Sequence, residues 1–426
     1  MQLWNNSDNI TVQSGSSFSF VDSNKRSYLD GISNMWCNVW GHDKTEIIDS
    51  MKNQLDTLPH SSLFGLVNEP SAKLAKRLIT ITKGMSKVFY TDNGSTAIEA
   101  ALKIAIQYWN NKRKTQKREF ICLKNAYHGD TIGCMSVGYV DGYFSPYRSL
   151  LLKTIKVDSP TIRHDKFGQQ NIEQYVDKIE NILKKKSPKI SGMVMESGAQ
   201  IAGGVNIYPE GFQKKISDLC KKYDTLLILD EIATGFGRLG NMIEYQAQKS
   251  EPDIVCFAKA LTGGYFPLAV TLTTSRIFEQ FLGDYWDKRQ LFHGHTFTGH
   301  PVGCTAALTN LDLYESLNLI RKIRLNSLVF DKLLKRFSEL EICYDIRNKG
   351  LLCGIELRKE NKPIKTIDKM PVGHYIARES LKKGVYLRTL GNIITIIPPL
   401  AMGKEDLTKI VDTEYQIVEN LQKKLK

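Results

Sequence analysis

The chain has 426 residues, of which 42% are hydrophobic, and its formal net charge at pH 7 is +13. This length exceeds what one simple core usually holds and indicates about two or three domains of ordinary globular composition. No apolar run approaches the roughly 20 residues of a membrane helix. The basic residues form short clusters mixed with acids, which favours a solvated surface over a nucleic-acid site.

The start of the chain and its cysteines predict a cellular compartment. Residues 1–6 contain no basic region that leads into an apolar stretch, so we expect no signal peptide. The eight cysteines are scattered and form no Cys-x-x-Cys pair. This pattern is typical of free thiols in a reducing cytosol rather than of disulfides or a zinc site. We therefore expect a cytoplasmic protein that holds no metal.

The N-terminal segment, residues 1–44, is predicted to form extended strands with turns at Asp22-Ser23-Asn24 and Asp30-Gly31. Residues 45–307 alternate short runs that are apolar on both faces with helical patterns, for example at 96–109 and 211–223. Candidate strands lie at 87–91, 119–124, 190–195, 226–229 and 254–257. This alternation predicts an α/β fold, with a large domain built on a mostly parallel sheet flanked by helices.

The pattern changes near Leu308, where long charged helices begin. Short strands are predicted near 350–357, 385–388 and 393–397. We interpret residues 308–426 as a smaller α+β domain and expect the N-terminal segment to pack with it.

Two charged residues follow candidate strands, where functional groups of open α/β sheets gather. Asp230 comes directly after residues 226–229, and Lys259 lies two positions beyond residues 254–257. A carboxylate at a strand end can cap the structure or face a cationic ligand, and a lysine opposite it can form an ion pair. Each residue alone is therefore ambiguous.

Two further strand ends carry groups that suit a flat, phosphorylated ligand. Residues 87–91 lead through Gly94 and Ser95 into a helix, whose free N–H groups and dipole attract phosphate. The simpler interpretation is an ordinary N-cap. Tyr127 follows the next strand, where its ring could stack on a heterocycle or belong to the core.

Residues 235–240 match the Gly-x-Gly-x-x-Gly pattern of dinucleotide-binding folds. In those folds the first glycine lies in the turn that leaves the strand, whereas here residues 230–234 intervene. No clear helix follows Gly240. The hypothesis of an NAD-dependent oxidoreductase therefore rests on this pattern alone, and we regard the match as accidental.

A lysine, an acid, a phosphate-binding turn and a stacking aromatic together are what pyridoxal 5′-phosphate (PLP) requires. At these residues the chain resembles the class III (ω-)aminotransferases of PLP fold type I. The resemblance is carried by the motifs Asn93-Gly94-Ser95, Tyr127-His128-Gly129-Asp130, Asp230-Glu231-Ile232-Ala233-Thr234-Gly235-Phe236-Gly237-Arg238, Lys259-Ala260-Leu261-Thr262-Gly263-Gly264 and His293-Gly294-His295-Thr296-Phe297-Thr298-Gly299. It covers nearly the whole chain beyond Asp30.

Within that family the chain is similar to the branch that aminates 8-amino-7-oxononanoate in biotin biosynthesis. The narrower likeness rests on Met35-Trp36, Tyr127-His128-Gly129-Asp130-Thr131, Ala233-Thr234, and Leu387-Arg388-Thr389-Leu390-Gly391 leading to Pro398-Pro399. The resemblance implies S-adenosylmethionine or lysine as the amino donor. The alternative is another ω-aminotransferase, of the 4-aminobutyrate, ornithine or diaminobutyrate type.

The resemblance also implies roles for individual residues. Lys259 would carry PLP as a Schiff base and then move a proton, Asp230 would pair with the pyridinium, and Tyr127 would stack on the ring. The remaining cofactor contacts would come from Gly94, Ser95, His295 and Thr296, with Thr296 reaching the phosphate from the partner subunit of a homodimer. Trp36 and Gly294 would line the substrate channel, and Arg388 would bind the substrate carboxylate. Arg238 would either contact substrate or be structural.

The sequence departs from the family pattern at two places. Members usually open with Trp-x-Pro-Tyr or Trp-x-Pro-Phe, whereas here Leu3-Trp4 runs into Asn5-Asn6. His295 stands where members that use S-adenosylmethionine often have proline. Both departures resemble the branch that can use lysine as the donor.

Overall fold

A seven-stranded sheet lies at the centre of the computed structural model, which describes residues 9–161 and 172–425. Its strand order is β4-β12-β11-β10-β7-β5-β6. These strands are β4 (Lys87–Thr91), β5 (Glu119–Leu123), β6 (Ile155–Val157), β7 (Ile190–Glu196), β10 (Leu226–Asp230), β11 (Ile254–Phe257) and β12 (Ala269–Thr273). Only β12 runs against the others within this sheet, since it pairs antiparallel with both β11 and β4. The predicted α/β fold with a mostly parallel sheet is confirmed.

Helices cover the sheet because its central strands are apolar on both faces. The helices in this part of the chain are α1 (Thr45–Thr57), α2 (Glu69–Ile81), α3 (Gly94–Asn111), α4 (Ile132–Val137), α5 (Asp141–Phe144), α6 (Glu173–Lys186), α7 (Phe212–Lys222), α8 (Glu244–Ala247), α9 (Ser275–Phe278) and α10 (Pro301–Ser316). Helix α3 packs on β11 and β12, and α10 packs on α1 and α2. The small pair β8 (Ala199–Gln200) and β9 (Asn206–Ile207) follows β7.

A second sheet, in the order β13-β14-β20-β19, forms the C-terminal part of the molecule. Its strands are β13 (Cys343–Lys349), β14 (Leu352–Lys359), β19 (Arg388–Leu390) and β20 (Ile393–Ile396). The short strand β15 (Lys362–Pro363) pairs with β14, and β16 (Thr366–Ile367) and β17 (Met370–Pro371) form a separate antiparallel pair. The helices here are α11 (Leu319–Leu334), α12 (Val372–Lys382) and α13 (Lys404–Leu425).

The N-terminal strands join this C-terminal part directly. Strands β1 (Val12–Ser16), β2 (Ser19–Asp22) and β3 (Ser27–Asp30) form a sheet with β18 (Val385–Tyr386), in which β3 and β18 are parallel. The predicted departure at residues 3–6 lies outside the described residues. The predicted boundary between residues 307 and 308 falls inside α10, and the division into domains stays a prediction.

The described residues can be examined for membrane-spanning helices, disulfides and metal sites. No helix is both long and apolar enough to cross a membrane. All eight cysteines are free thiols, and six of them are buried. No group of His, Cys, Asp and Glu side chains in these residues is arranged to hold a metal ion.

Candidate active site

A cavity of about 530 Å³ opens beyond the carboxyl ends of the parallel strands. Several of these strands lead to residues of its wall. Strand β4 leads to Gly94 and Ser95, β5 to Tyr127, β10 to Asp230 and β11 to Lys259. The cavity is lined by Trp36, Cys37, Asp92, Asn93, Gly94, Ser95, Tyr127, His128, Gly129, Glu196, Asp230, Ile232, Ala233, Thr234, Ala258, Lys259, Thr262, Gly264, Tyr265, Phe266, Pro267 and Leu268.

Lys259 begins a short 3₁₀ turn after β11, with a left-handed backbone of φ 49°. Its Nζ lies 5.4 Å from the centre of the Trp36 ring. Burial lowers the pKa of Lys259, and the nearby Asp230 charge offsets part of that effect. Within residues 9–161 and 172–425 no group accepts a hydrogen bond from this amine. The Lys259 Nζ therefore lies at the cavity with a ring contact to Trp36 but without a hydrogen-bond acceptor among the described residues.

Asp230, the last residue of β10, is buried and held from two sides. The Ile232 N–H donates to its Oδ1 at 2.9 Å, and His128 Nδ1 lies 2.8 Å from its Oδ2. The other ring nitrogen of His128, Nε2, is buried and has no hydrogen-bond partner in the described part of the chain. These contacts fix the orientation of the carboxylate that faces the cavity.

Glu196 is a second buried acid beside Asp230, because the two residues are register partners on β7 and β10. Its carboxyl oxygens accept from the backbone N–H groups of Ile201 at 3.2 Å and Tyr127 at 3.4 Å. Burial raises the pKa of Glu196 well above its usual range, and the Asp230 charge adds to this. Burial and the neighbouring Asp230 charge therefore both favour the protonated form of Glu196.

The turn before α3 starts the helix with an N-cap, as the simpler interpretation of the sequence predicted. The Asn93 side chain accepts from the Thr96 N–H, and the Thr96 hydroxyl accepts from the Asn93 N–H, so the helix starts with a capping box. The N–H groups of Gly94 and Ser95, the first two of α3, have no partner inside the helix and are free for an anion. Gly129 lies against Ser95: a Cβ at position 129 would be 2.0 Å from the Ser95 hydroxyl oxygen.

Tyr127 lies half-buried on the cavity wall after β5. Its hydroxyl donates to Asp130 at 3.0 Å, and its ring stacks on Phe144 with centroids 6.1 Å apart. Burial raises the pKa of this phenol, and the Asp130 contact raises it further. The ring is thus braced on one side, so it offers a rigid aromatic wall to the cavity.

The groups in this cavity fit PLP. An unpartnered amine, a fixed carboxylate, a helix start with free N–H groups and an aromatic wall match the aldehyde, ring nitrogen, phosphate and ring of that cofactor. Six of the predicted site residues line the cavity: Trp36, Gly94, Ser95, Tyr127, Asp230 and Lys259.

Four other predicted site residues do not line it. Gly294 lies against the Phe64 ring, His295 Nδ1 is 3.4 Å from the Asp92 carboxylate at the cavity edge, and Thr296 is exposed. Arg388 lies on β19, where its Nη1 donates to the Met35 thioether sulfur at 3.2 Å. The roles predicted for these residues remain predictions.

Arg238 has a structural setting. Its side chain is almost fully buried, and its guanidinium donates to the backbone oxygens of Leu351 and Pro398 and to the Ser33 hydroxyl. Burial lowers the pKa of Arg238 to about 10. Since Arg238 is not part of the cavity wall and joins three segments of the chain, the structure favours the structural interpretation.

Residues 235–240 do not form a dinucleotide turn. The segment folds into successive turns, with the Gly240 N–H donating to the Gly237 oxygen, and it precedes the four-residue helix α8 instead of starting a long one. A pyrophosphate would therefore lack the helix N-terminus that the Rossmann pattern supplies.

Comparison with known proteins shows what the chain is similar to. The sequence profile of the class-III aminotransferases matches residues 3–418. The chain is 40% identical over 418 residues to the adenosylmethionine-8-amino-7-oxononanoate aminotransferase of Geobacter sulfurreducens, covering 97% of this chain and 92% of that protein. The crystal structure of the protein of that name from Methanocaldococcus jannaschii has a TM-score of 0.91 at 36% identity, covering 98% and 95% of the two chains. The omega transaminase of Pseudomonas jessenii in complex with PMP also gives 0.91, at 27% identity over 98% and 94%.

Proposed function

Because the chain belongs to the class-III aminotransferase family, we propose that it transfers an amino group onto 8-amino-7-oxononanoate and so makes 7,8-diaminononanoate for biotin biosynthesis. The enzyme depends on PLP and has the α/β architecture of PLP fold type I. Relatives named for this reaction are 31–40% identical to the chain over nearly its whole length. Another ω-aminotransferase activity is not favoured by these relatives.

The observation that carries the proposal is the unpartnered Lys259 amine in a cavity that also holds Asp230. When bound, PLP withdraws electrons from the substrate carbon next to the amine and so makes its proton acidic. Lys259 would hold the cofactor and would move that proton with its Nζ. The lowered pKa of Lys259 favours the uncharged amine, which is the form that can accept a proton.

The other cavity residues bind and orient. Asp230 would hold the pyridine nitrogen and keep it protonated, with His128 and the Ile232 N–H fixing its carboxylate. Gly94 and Ser95, at the start of α3, would hold the phosphate, and Tyr127 would stack on the ring. His295 supports this site through Asp92 at the cavity edge.

Substrate recognition involves Trp36, Gly294 and Arg388. Trp36 lies over the Lys259 amine and shields it from water. Arg388 binds the distal carboxylate of the ketone, because a planar guanidinium matches a carboxylate with two parallel hydrogen bonds. The amino donor is S-adenosylmethionine or lysine, and both belong in the assay.

The active enzyme is a homodimer in the cytoplasm. Thr296 is exposed and absent from the cavity of its own chain, which supports a contact with the partner's phosphate site. Exposed apolar side chains, Phe64, Leu66, Val67, Phe292 and Phe297, surround the same loop. A surface of this kind supports association with a second copy.

The test is turnover of the purified enzyme, supplied with PLP, on 8-amino-7-oxononanoate with each donor in turn. We expect 7,8-diaminononanoate with S-adenosylmethionine, lysine or both. The matched acceptors are the keto products of 4-aminobutyrate, ornithine and diaminobutyrate. Amination of one of those, without amination of 8-amino-7-oxononanoate, would contradict the proposed substrate.

A further inference from the structure

The chain segment beside the cavity contains an unusual backbone turn. Ser33, Asn34, Met35 and Trp36 have φ values of 49°, 46°, 72° and 72°. All four lie in the left-handed region that L-amino acids other than glycine visit as single residues and avoid in runs. Such a run persists only where the surrounding structure imposes it, and strained segments of this kind concentrate at functional sites.

Buried polar contacts hold this turn in place. The Asp30 carboxylate is fully buried and accepts from the N–H groups of Ile32 at 3.1 Å and Asn34 at 3.0 Å. The Ser33 hydroxyl donates to the Ile397 oxygen and accepts from Arg238. The turn is therefore fixed at both its start and its middle.

Two side chains of this turn contact residues of the proposed site. Trp36 lies over the Lys259 amine, and the neighbouring Met35 places its sulfur 3.2 Å from Arg388 Nη1. Met35 is 43% exposed although it is apolar. The strained segment thus contacts the Lys259 amine through Trp36 and, through Met35, the Arg388 guanidinium that is proposed to bind the substrate carboxylate.

We propose that Met35 is a placeholder for the acceptor's carboxylate: its thioether occupies the Arg388 guanidinium until a carboxylate displaces it, which makes residue 35 a determinant of acceptor specificity. This inference rests on the proposed function and identifies how the same site treats two substrates. Both must reach Lys259, but S-adenosylmethionine carries its carboxylate on the same carbon as its amino group, whereas the acceptor carries its carboxylate at the far end of an alkyl chain.

The chemistry of sulfur suits a displaceable contact. A thioether is a weak acceptor, whereas a carboxylate forms charge-assisted, two-point hydrogen bonds with a guanidinium. A carboxylate therefore replaces Met35 readily. With no carboxylate present, the thioether keeps Arg388 in position. An acidic side chain at position 35 would instead occupy Arg388 permanently.

The test measures binding to the holoenzyme by calorimetry, with nonanoate as the probe and nonanamide as its uncharged counterpart. We expect the wild-type enzyme to bind nonanoate more tightly, and Arg388→Ala to remove that preference. Met35→Glu should weaken nonanoate binding by about ten- to a hundredfold. Met35→Leu, which removes the acceptor and keeps the volume, should strengthen it by about two- to tenfold. Neither Met35 change should alter nonanamide binding.

The control is Leu328→Glu, which adds the same charge at an exposed site on α11. It should leave nonanoate binding at the wild-type value. The inference is overturned if Met35→Glu binds nonanoate as the wild type does, or if the wild type does not prefer nonanoate to nonanamide. If nonanoate binding follows residues 35 and 388 but the enzyme never aminates 8-amino-7-oxononanoate, the proposed substrate fails and the placeholder stands.

Discussion

Among the site residues, Asp230 has the contacts that indicate its role most specifically. It is buried, it receives hydrogen bonds from His128 and the Ile232 N–H, and it shares the cavity with Lys259. Asp230→Asn keeps the shape but removes the charge that is proposed to face the ring nitrogen. We expect kcat to fall by about a hundred- to a thousandfold, the scale of a lost electrostatic partner in a dry site.

The Asp230→Asn measurement needs a folding control. Unchanged circular dichroism and a thermal transition near that of the wild type would show that the loss is chemical. Wild-type turnover in a folded Asp230→Asn enzyme would remove Asp230 from the cofactor site.

Site residues could be predicted from the sequence where they directly follow an apolar strand. Asp230 and Lys259 each follow an apolar run, and the structure brings both to one cavity. Glu196 was not predicted as a site residue, although it also ends a strand. Its position beside Asp230 depends on the order of the strands in the sheet, which the sequence does not give. The contact between Arg388 and Met35 could not be predicted either, since 353 positions separate them.

At the scale of elements, the loop after β5 supports the helix start that is proposed to bind phosphate. Gly129 has φ 125°, and any Cβ there would overlap the Ser95 hydroxyl. Gly129→Ala should therefore push Ser95 out of position and raise the dissociation constant of PLP by about ten- to a hundredfold. Absorbance during dialysis of the cofactor measures this change.

The matched control for that loop is Gly142→Ala, since no atom lies within 4 Å of the Cβ that it would add. The Gly142→Ala enzyme should retain PLP as the wild type does. Equal PLP affinity in both variants would contradict the role of the β5 loop.

The contact between α12 and α13 predicts a pH dependence of stability. Glu414 is fully buried, its Oε1 accepts from the Ser380 hydroxyl at 2.5 Å, and its Oε2 has no partner among the described residues. Burial raises the pKa of Glu414 to about 8. The folded state therefore binds a proton that the unfolded state releases above about pH 4.5.

The contribution of Glu414 to the free energy of unfolding is thus complete below about pH 4.5 and declines as pH rises towards 8. Glu414→Gln should lack this decline and be more stable than the wild type above pH 8, as urea unfolding at several pH values would show. Glu419→Gln, on the more exposed side of the same helix, should keep the wild-type profile. A wild-type profile in Glu414→Gln would contradict the buried, protonated carboxyl.

Elements with strong apolar runs could be predicted with their bounds. Strands β4 and β11 have the predicted limits, whereas β6, β12 and β13 were missed. Strand β6 has three residues, too few for a pattern. Strand β13 carries the polar residues Asp345, Arg347, Asn348 and Lys349. Arg347 pairs with Asp345 on the same strand and with Glu356 on β14, whereas Asn348 and Lys349 contact Asp331 on α11 and Glu244 on α8. Strand β12 is short and follows a glycine- and proline-containing turn, and only the assembled sheet shows that it runs against its neighbours.

The whole molecule is expected to work as a dimer, although only one chain is described. Phe64 lies beside Gly294 in the apolar surface around Thr296. Light scattering should give twice the 48.3 kDa of the chain. Val67→Asp, which places a charge at an exposed apolar position, should weaken the dimer and lower PLP affinity together. A fully active monomer would contradict shared active sites.

The most direct test of the central assignment, that Lys259 carries PLP, is borohydride reduction of the purified holoenzyme followed by peptide mapping. The reduced protein should hold the pyridoxyl group on the peptide that contains Lys259. The Lys259→Ala protein should fold, should not be labelled and should not transaminate. A pyridoxyl group on any other lysine of the wild-type enzyme would contradict the assignment and, with it, the site built around the cavity.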